Sequence, residues 1–260
     1  MSDAITFLGT SDGLPSPDRH HASLLLRFGG QTILLDCGEP CSHTLKRMGV
    51  NFNSLDAVVV SHTHSDHVGG LPMLLQSMWL EERTRPLPVW LPRRALRPLR
   101  DWLHACYLFE PLFKFRVEWH PISPQKPARV GRVKLRAFRT THLDAMRARF
   151  SRKFPAVGFD PFCFSIEAGR KRVGYSGDLG QPIDLAPLLI KPLDLLVVEL
   201  AHIHPLDLID FLREREVKHV AITHMGRAVR ARLPEVRAAF VTRLPKRRVS
   251  FVHDGDTIHF

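Results

Sequence analysis

Three histidines and one aspartate lie within six consecutive residues of this chain: His62, His64, Asp66 and His67. Imidazole nitrogens and carboxylate oxygens are the ligands that a Lewis-acidic zinc ion uses in proteins. The apolar run at residues 55–60 precedes them and is typical of a buried strand, so we expect the four side chains on the loop at its end. A solvated His-rich tract would lack both this strand and the Gly69-Gly70 turn that follows. The pattern therefore predicts a metal site.

Three further residues of metal-binding types follow later apolar runs, at points where the chain turns: His142, Asp178 and His224. One histidine after one strand is more often an ordinary loop residue than a ligand. Here four strand ends each supply a histidine or an aspartate, and a site with several ligands explains this repetition better than chance does.

The elements that must position these residues are short strands, with helices after several of them. Gly29-Gly30 is typical of a hairpin turn between two of the strands. The segments form two similar halves that meet near residue 130. We therefore expect an α/β (α+β) fold, with residues 1–260 as one domain. Two packed sheets with helices outside them would make a four-layer αββα sandwich.

The composition is that of an ordinary globular protein, with 44% apolar and 24% charged residues among 260. No apolar run approaches the roughly 18 residues that a membrane span needs, and the first residues do not resemble a signal peptide. The four cysteines contain no Cys-x-x-Cys pair, which indicates reduced thiols rather than a disulfide framework. We expect a cytoplasmic protein without a membrane partner. A homodimer is compatible with the sequence.

The net charge of +11 is concentrated after residue 80, where arginines and lysines occur in clusters. Clustered cations favour polyanionic partners, because neutralised phosphates release their counterions. A solubilising surface, or a genome that prefers arginine codons, would produce the same excess. Charge therefore modifies the functional prediction without deciding it.

With these ligands in place, nearly the whole chain resembles the metallo-β-lactamase fold superfamily. Its His-x-His-x-Asp-His motif and the later His, Asp and His are all present. The resemblance implies one metal ion held by His62, His64 and His142. It implies a second held by Asp66, His67 and His224, with Asp178 bridging the two. Two Zn²⁺ ions are the expected cofactors, and Mn²⁺ or Fe²⁺ would fit similar ligands.

Within the superfamily the chain is most similar to the ribonuclease Z-like phosphodiesterases, through Phe7–Thr10, Gly13–Ser16 and Leu35–Glu39. This resemblance implies that Asp36 orients a ligand imidazole, although an ordinary turn residue is the alternative. It also implies that a histidine protonates the leaving oxygen. His202, which precedes His224 by 22 residues, is favoured over His204 for that role.

The expected mechanism is phosphodiester hydrolysis. Two metal ions ~4 Å apart would bind a phosphoryl oxygen and activate a bridging water as hydroxide. Asp66 would accept a proton from this water, and His202 would donate one to the departing alkoxide. Anionic phosphodiesters suit such a site better than neutral esters do.

Several features differ from the tRNA-processing members. Pro40-Cys-Ser42 replaces their usual Gly-Thr-Gln, and their His-Glu-Ala-Thr motif is missing. Their long RNA-binding arm is replaced by 35 residues between His142 and Asp178. This segment contains a short basic loop whose candidate phosphate contacts are Arg147, Arg149, Arg152 and Lys153. RNA and a small or cyclic nucleotide phosphodiester therefore both remain open as substrates.

Two other classes of function are alternatives. A hydrolase of lactones or thioesters would use the same metal core without His202. A non-catalytic nucleic-acid-binding module would keep the fold, but it would have no need for seven metal ligands.

Overall fold

The computed structural model describes residues 2–260, which form two mixed seven-stranded sheets. The first sheet contains β1 (Ala4–Gly9), β2 (Ser23–Phe28), β3 (Gln31–Cys37), β4 (Ala57–Val59), β5 (Leu87–Pro92) and β6 (Val117–Ile122). The second contains β7 (Ala128–Val130), β8 (Val133–Arg139), β9 (Phe162–Ala168), β10 (Lys171–Tyr175), β11 (Leu193–Leu200), β12 (Val217–Met225) and β13 (Arg248–Phe251). The last strand, β14 (Thr257–His259), returns to the first sheet and pairs antiparallel with β1. The two sheets therefore divide between residues 122 and 128, close to the predicted meeting point of the halves.

Eight α-helices connect the strands: α1 (Cys41–Arg47), α2 (Ser65–Val68), α3 (Leu71–Leu80), α4 (Leu96–Ala105), α5 (Asp144–Phe150), α6 (Pro205–Leu212), α7 (Arg227–Ala231) and α8 (Leu233–Arg243). Short 3₁₀ helices occupy Phe52–Ser54, Arg93–Ala95, Glu110–Leu112 and Pro182–Ile190. Within residues 2–260, no helix has the length and apolar character required to cross a membrane.

The hydrophobic core has three parts, which correspond to the spaces between layers. The central part is formed by inward-facing residues of both sheets, such as Phe7, Leu35 and Phe164. A second part packs the outer face of the first sheet against α1 and α3, and a third packs the second sheet against α6 and α8. This arrangement confirms the predicted αββα sandwich.

Parallel strands explain why ligands that are distant in sequence meet. Strands β3 to β6 run parallel in the first sheet, and β10 to β13 run parallel in the second. The carboxyl ends of parallel strands lie at one edge of a sheet, where open α/β sheets place their functional loops. The segments after β4 and β10 carry predicted ligands, and His224 lies at the carboxyl end of β12 itself, so this edge is where they can converge.

One local prediction was wrong. Residues 147–153 were expected to be a basic loop, but residues 144–150 form α5. This helix has Asp144 in its first turn and Arg147 and Arg149 in its last, an arrangement that complements the helix dipole. Its exposed surface provides no apolar periodicity, which is why the sequence pattern did not indicate a helix.

Candidate metal centre

Four predicted ligand atoms form a first group: His62 Nε2, His64 Nδ1, His142 Nε2 and Asp178 Oδ2. The His64 nitrogen lies 3.1 Å from that of His62 and 3.2 Å from that of His142. Asp178 Oδ2 is 3.6 Å from the Nε2 atoms of both His62 and His142. Nitrogen and oxygen atoms that face one another in this way can surround a single cation.

The second group faces the other oxygen of the same aspartate. Asp178 Oδ1 lies 3.2 Å from His67 Nε2 and 3.5 Å from His224 Nε2. Asp66 Oδ2 completes the group, at 3.4 Å from His67 Nε2 and 3.7 Å from His224 Nε2. Each carboxylate oxygen of Asp178 therefore faces one of the two groups. All seven predicted ligand residues lie together.

The local backbone explains how these side chains reach the site. His64 immediately precedes α2, whose single turn carries both Asp66 and His67. Gly38 allows close packing there, since a Cβ at that position would lie only 2.1 Å from the backbone oxygen of Asp66. His224 has a φ of +46°, an uncommon left-handed conformation for a residue other than glycine. Such strain at a functional residue is maintained only when the surrounding structure enforces it.

The buried polar atoms of the site test whether metal ions fit it. His67 Nε2, Asp178 Oδ1 and His224 Nε2 are buried, and no group among residues 2–260 forms a hydrogen bond with them. Buried polar atoms are almost always satisfied, so three unsatisfied atoms that face one another require a partner. A cation among His and Asp ligands would satisfy all three. The donor set therefore fits two divalent ions.

The electrostatics of the site favour the metal-binding forms of the first histidine group and of Asp178. Burial lowers the pKa values of His62 and His64 and lowers that of His142 to about 4, so these imidazoles are neutral at pH 7. Burial opposes ionisation of Asp178, but the neighbouring His224 and His67 hold its pKa well below the ordinary value. Neutral imidazoles and ionised carboxylates are the species that coordinate metal ions. Burial lowers the pKa of His67, but Asp178 and Asp36 outweigh this effect and raise the pKa well above its ordinary value, so a metal ion would have to replace the proton of that imidazole.

Asp36 lies directly behind the second group. Its carboxylate accepts hydrogen bonds from His67 Nδ1 at 2.8 Å, from the Ser61 amide at 2.6 Å and from Ser61 Oγ at 2.8 Å. The hydroxyl of Tyr175 is a further donor to it. Second-shell carboxylates of this kind fix the orientation of a ligand imidazole. The sequence motif pointed to Asp36, but nothing in the sequence indicated Ser61 or Tyr175 as its partners.

His202 and His204 have different surroundings. His202 Nδ1 lies 3.2 Å from Glu199 Oε1 and 3.7 Å from Asp178 Oδ2, and its side chain is 37% exposed. Burial lowers its pKa, but the hydrogen bond and charge of Glu199 outweigh this and raise the pKa overall. His204 instead lies at the start of α6, where its Nδ1 accepts a hydrogen bond from the Leu206 amide.

Buried carboxylates that the sequence analysis did not identify support two of these loops. Glu199 accepts hydrogen bonds from the amides of Leu179 and His202, so it joins the Asp178 and His202 loops. Asp184 accepts from the Thr141 amide, next to His142. Glu199 lies three residues before His202 in the sequence, and this proximity was the available signal.

The four candidate phosphate contacts lie on α5 and just after it, and all four are exposed. Arg149 and Lys153 lie over the rings of Phe150 and Phe154. None of the four forms an ion pair or a side-chain hydrogen bond within the described chain. Their charges are therefore available to an anionic ligand, and α5 begins two residues after His142.

The sequence matches the family model described as "Beta-lactamase superfamily domain" over residues 31–253. A ribonuclease Z of Halorubrum lacusprofundi is 35% identical over 143 residues, which cover 55% of this chain and 45% of that protein. The chain therefore spans about half the length of this curated relative.

Two solved structures are similar over almost the whole chain. The metallo-β-lactamase fold protein YhfI from Bacillus subtilis has a TM-score of 0.80 at 19% identity and covers 100% of both chains. The short form of human tRNase Z, ELAC1, has a TM-score of 0.71 at 18% identity and covers 98% of both chains. At these identities the likeness shows the fold.

Proposed function

This chain belongs to the β-lactamase superfamily, and we propose that it is a metal-dependent phosphodiesterase of the ribonuclease Z-like kind. The proposal rests on the position of Asp178. Each of its two carboxylate oxygens faces one group of ligands, and His202 lies beside it. Paired metal sites that share a carboxylate suit in-line displacement at phosphorus.

Two bound divalent ions would supply Lewis-acid activation of water and of the phosphoryl oxygen. Asp66 is the proposed proton acceptor. Burial raises its pKa, but His67 and His224 outweigh this effect and hold the pKa below its ordinary value, so the carboxylate is ionised at neutral pH. Zinc is the proposed metal because imidazoles supply three of the four ligand atoms in the first group and two of the four in the second, and Mn²⁺ or Fe²⁺ are the other candidates.

His202 is the proposed proton donor to the leaving oxygen. Its partly exposed ring is within reach of a substrate at the metal edge, and Glu199 holds it beside Asp178. A donor in this place would stabilise the alkoxide as the bond to phosphorus breaks. The N-terminal position of His204 on α6 gives that residue a structural use instead.

RNA or a small nucleotide phosphodiester is the proposed substrate. The net charge of +11 and the unpaired cations Arg147, Arg149, Arg152 and Lys153 support an anionic ligand. The name of the ribonuclease Z relative supports RNA. With only α5 and a short loop in this region, a small phosphodiester remains an alternative.

The test is to assay the zinc-loaded protein on three substrates: bis(p-nitrophenyl) phosphate, a 2′,3′-cyclic nucleotide and a lactone. We expect both phosphodiesters to be cleaved and the lactone to be left intact. Asp178→Ala is the control, because it removes a ligand shared by both groups. Cleavage of the lactone alone would assign the chain to another class of hydrolase.

We also propose a cytoplasmic location, supported by four cysteines that are all free thiols. Residues 1–260 are proposed as one domain. The pairing of β14 with β1 supports this, because the last strand belongs to the same sheet as the first.

A further inference from the structure

A second cavity, separate from the metal ligands, lies between the two sheets beside their edge strands β6 and β7. Its volume is about 620 Å³, within the range of about 300–1,000 Å³ that is usual for ligand sites. Inward-facing apolar side chains form much of its wall: Val59, Ile122, Leu135, Ala137 and Phe164. The cavity is therefore an apolar space large enough for a small organic group.

An aromatic pair forms one side of the cavity. Trp90 and His120 are direct partners on β5 and β6, and their rings stack with centroids 4.8 Å apart at an interplanar angle of 22°. Both side chains are half-buried and line the cavity. A flat π surface of this kind can stack against another flat ring, such as a nucleobase, and any of the bases can stack in this way.

Four cations line the same cavity, and no acidic residue does: Arg93, Lys126, Arg129 and Lys134. Within residues 2–260 none of these side chains forms an ion pair or a hydrogen bond. Arg129 and Lys134 are direct partners across β7 and β8, and their side chains project from the face of this hairpin opposite to the inward-facing Leu135. Arg93 and Lys126 are therefore the cations at the cavity that are placed to meet an anion.

The nearest carboxylates already have other partners. Glu118 lies 3.9 Å from the His120 ring nitrogen, but Arg116 binds it. Glu167 is in register with Lys134, but it accepts a hydrogen bond from Arg172 at 3.1 Å. The cations at the cavity therefore lack internal counterions.

We infer that this cavity binds one nucleotide unit, with the base against the free face of the Trp90–His120 stack and the phosphate beside Arg93 and Lys126. An aromatic platform beside unpaired cations is the combination that binds unpaired nucleotides. Val59 lies three residues before His62, or ~10 Å along an extended chain. The nucleotide can therefore be a free one, or one residue of an RNA strand that continues to the metal edge.

This inference does not rest on the proposed reaction, because binding can be measured without turnover. The zinc-loaded full chain is titrated with AMP while tryptophan fluorescence is recorded, and with a labelled single-stranded hexa-adenylate RNA while anisotropy is recorded. Both titrations are repeated after chelation of the zinc, which distinguishes binding at the cavity from binding at the metal centre. The variants are Trp90→Phe and the double substitution Arg93→Ala/Lys126→Ala, with the exposed Arg136→Ala on β8 as the matched control.

We expect AMP to quench the fluorescence, and Trp90→Phe to abolish most of that change. The double substitution should weaken binding about tenfold or more, and Arg136→Ala less than about twofold. If AMP binds and the RNA does not, the ligand of the cavity is a free nucleotide. If the RNA binds and AMP does not, the ligand is one residue of an RNA strand.

Thermal unfolding verifies that the Trp90→Phe variant is folded. Lys126 is exposed, so we expect the substitution of this lysine to leave the fold intact. The inference is overturned if neither ligand binds, or if both bind with affinities that neither cavity variant changes. Loss of phosphodiesterase activity with retained, variant-sensitive AMP binding would refute only the proposed reaction.

Discussion

The hydroxyl of Tyr175, on the second sheet, donates a hydrogen bond to the carboxylate of Asp36, at the end of β3 in the first sheet. Both residues are buried, and the same carboxylate accepts from His67 Nδ1 at 2.8 Å. The two sheets are therefore joined by a polar contact directly behind a metal ligand. Burial and the charge of Asp36 raise the pKa of this tyrosine well above its ordinary value, so it remains a donor.

Tyr175→Phe should weaken metal binding without removing the site. Loss of a second-shell contact typically costs about 10-fold or more in metal affinity, and loss of one buried hydrogen bond costs about 1 kcal/mol of folding stability. Chelator competition and urea unfolding measure the two effects. Unchanged affinity together with reduced stability would limit Tyr175 to a role in packing.

His202→Ala should lower kcat on bis(p-nitrophenyl) phosphate by about 100-fold, the contribution typical of a general acid. His204→Ala is the matched comparison, because it removes a nearby histidine that caps α6. It should reduce stability by about 1 kcal/mol and leave kcat nearly unchanged. Equal losses of kcat in both variants would refute the assignment of the proton donor to His202.

Arg147→Ala/Arg149→Ala should weaken the binding of RNA more than that of a small phosphodiester. Each lost phosphate contact should reduce the slope of log affinity against log salt by about 1 unit. The measurement is the KM for an RNA substrate across a salt series, with bis(p-nitrophenyl) phosphate as the control substrate. A KM for RNA that the double substitution leaves unchanged at every salt concentration would exclude these residues from substrate binding.

Removal of metal should destabilise the protein. Asp66 and Asp178 are both buried, and the charge of Asp178 opposes the ionisation of Asp66, a repulsion that bound cations would relieve. We expect the thermal midpoint to fall by several degrees in EDTA, roughly the effect of losing a ligand worth a few kcal/mol, and to recover when zinc is added. A midpoint that is insensitive to EDTA and to zinc would contradict two bound ions.

His219 should make the fold sensitive to acid. Burial and the nearby charge of Arg248 lower its pKa from 6.5 to about 4 in the folded state. Between pH 6.5 and pH 4, His219 is protonated in the unfolded chain but neutral in the folded chain. Its contribution to folding stability is therefore fully present above pH 6.5 and is lost as the pH falls toward 4.

The loss from this single group is about 2 kcal/mol. Urea unfolding of the zinc-loaded protein at pH 7 and pH 5 should show a smaller difference for His219→Gln than for the native chain. His43→Gln, an exposed substitution on α1, is the control. If His219→Gln and His43→Gln show the same pH dependence as the native chain, His219 is not the sensitive group.

The sequence pattern predicted the sandwich from its order of strands and helices, and it predicted the seven proposed ligands because they follow four short apolar runs. Such information is local, and so it can be read from adjacent residues. The partners of Asp36 could not be predicted in this way, since Tyr175 is 139 positions distant and belongs to the other sheet. The cavity cations were similarly distributed over the 3₁₀ helix after β5, over β7 and β8, and over the connection between the sheets.

The spacing to His224 favoured His202 over His204, but the surroundings that distinguish them, and the helix α5, could not be read from local residue type. His202 and His204 differ in the backbone that carries them, because one is held by Glu199 and the other begins a helix. The seven residues of α5 are mostly exposed, so the helix has no apolar stripe to detect. Its charge order, acid first and base last, was the remaining signal.

The pairing of β14 with β1 has a consequence for synthesis on the ribosome. Ala4 is translated 255 positions before its partner His259. Until residues 257–259 leave the ribosome, β1 has an unpaired edge that can associate with other chains. We therefore expect the nascent chain to depend on chaperones until these residues emerge, even though all seven proposed metal ligands have been translated before them.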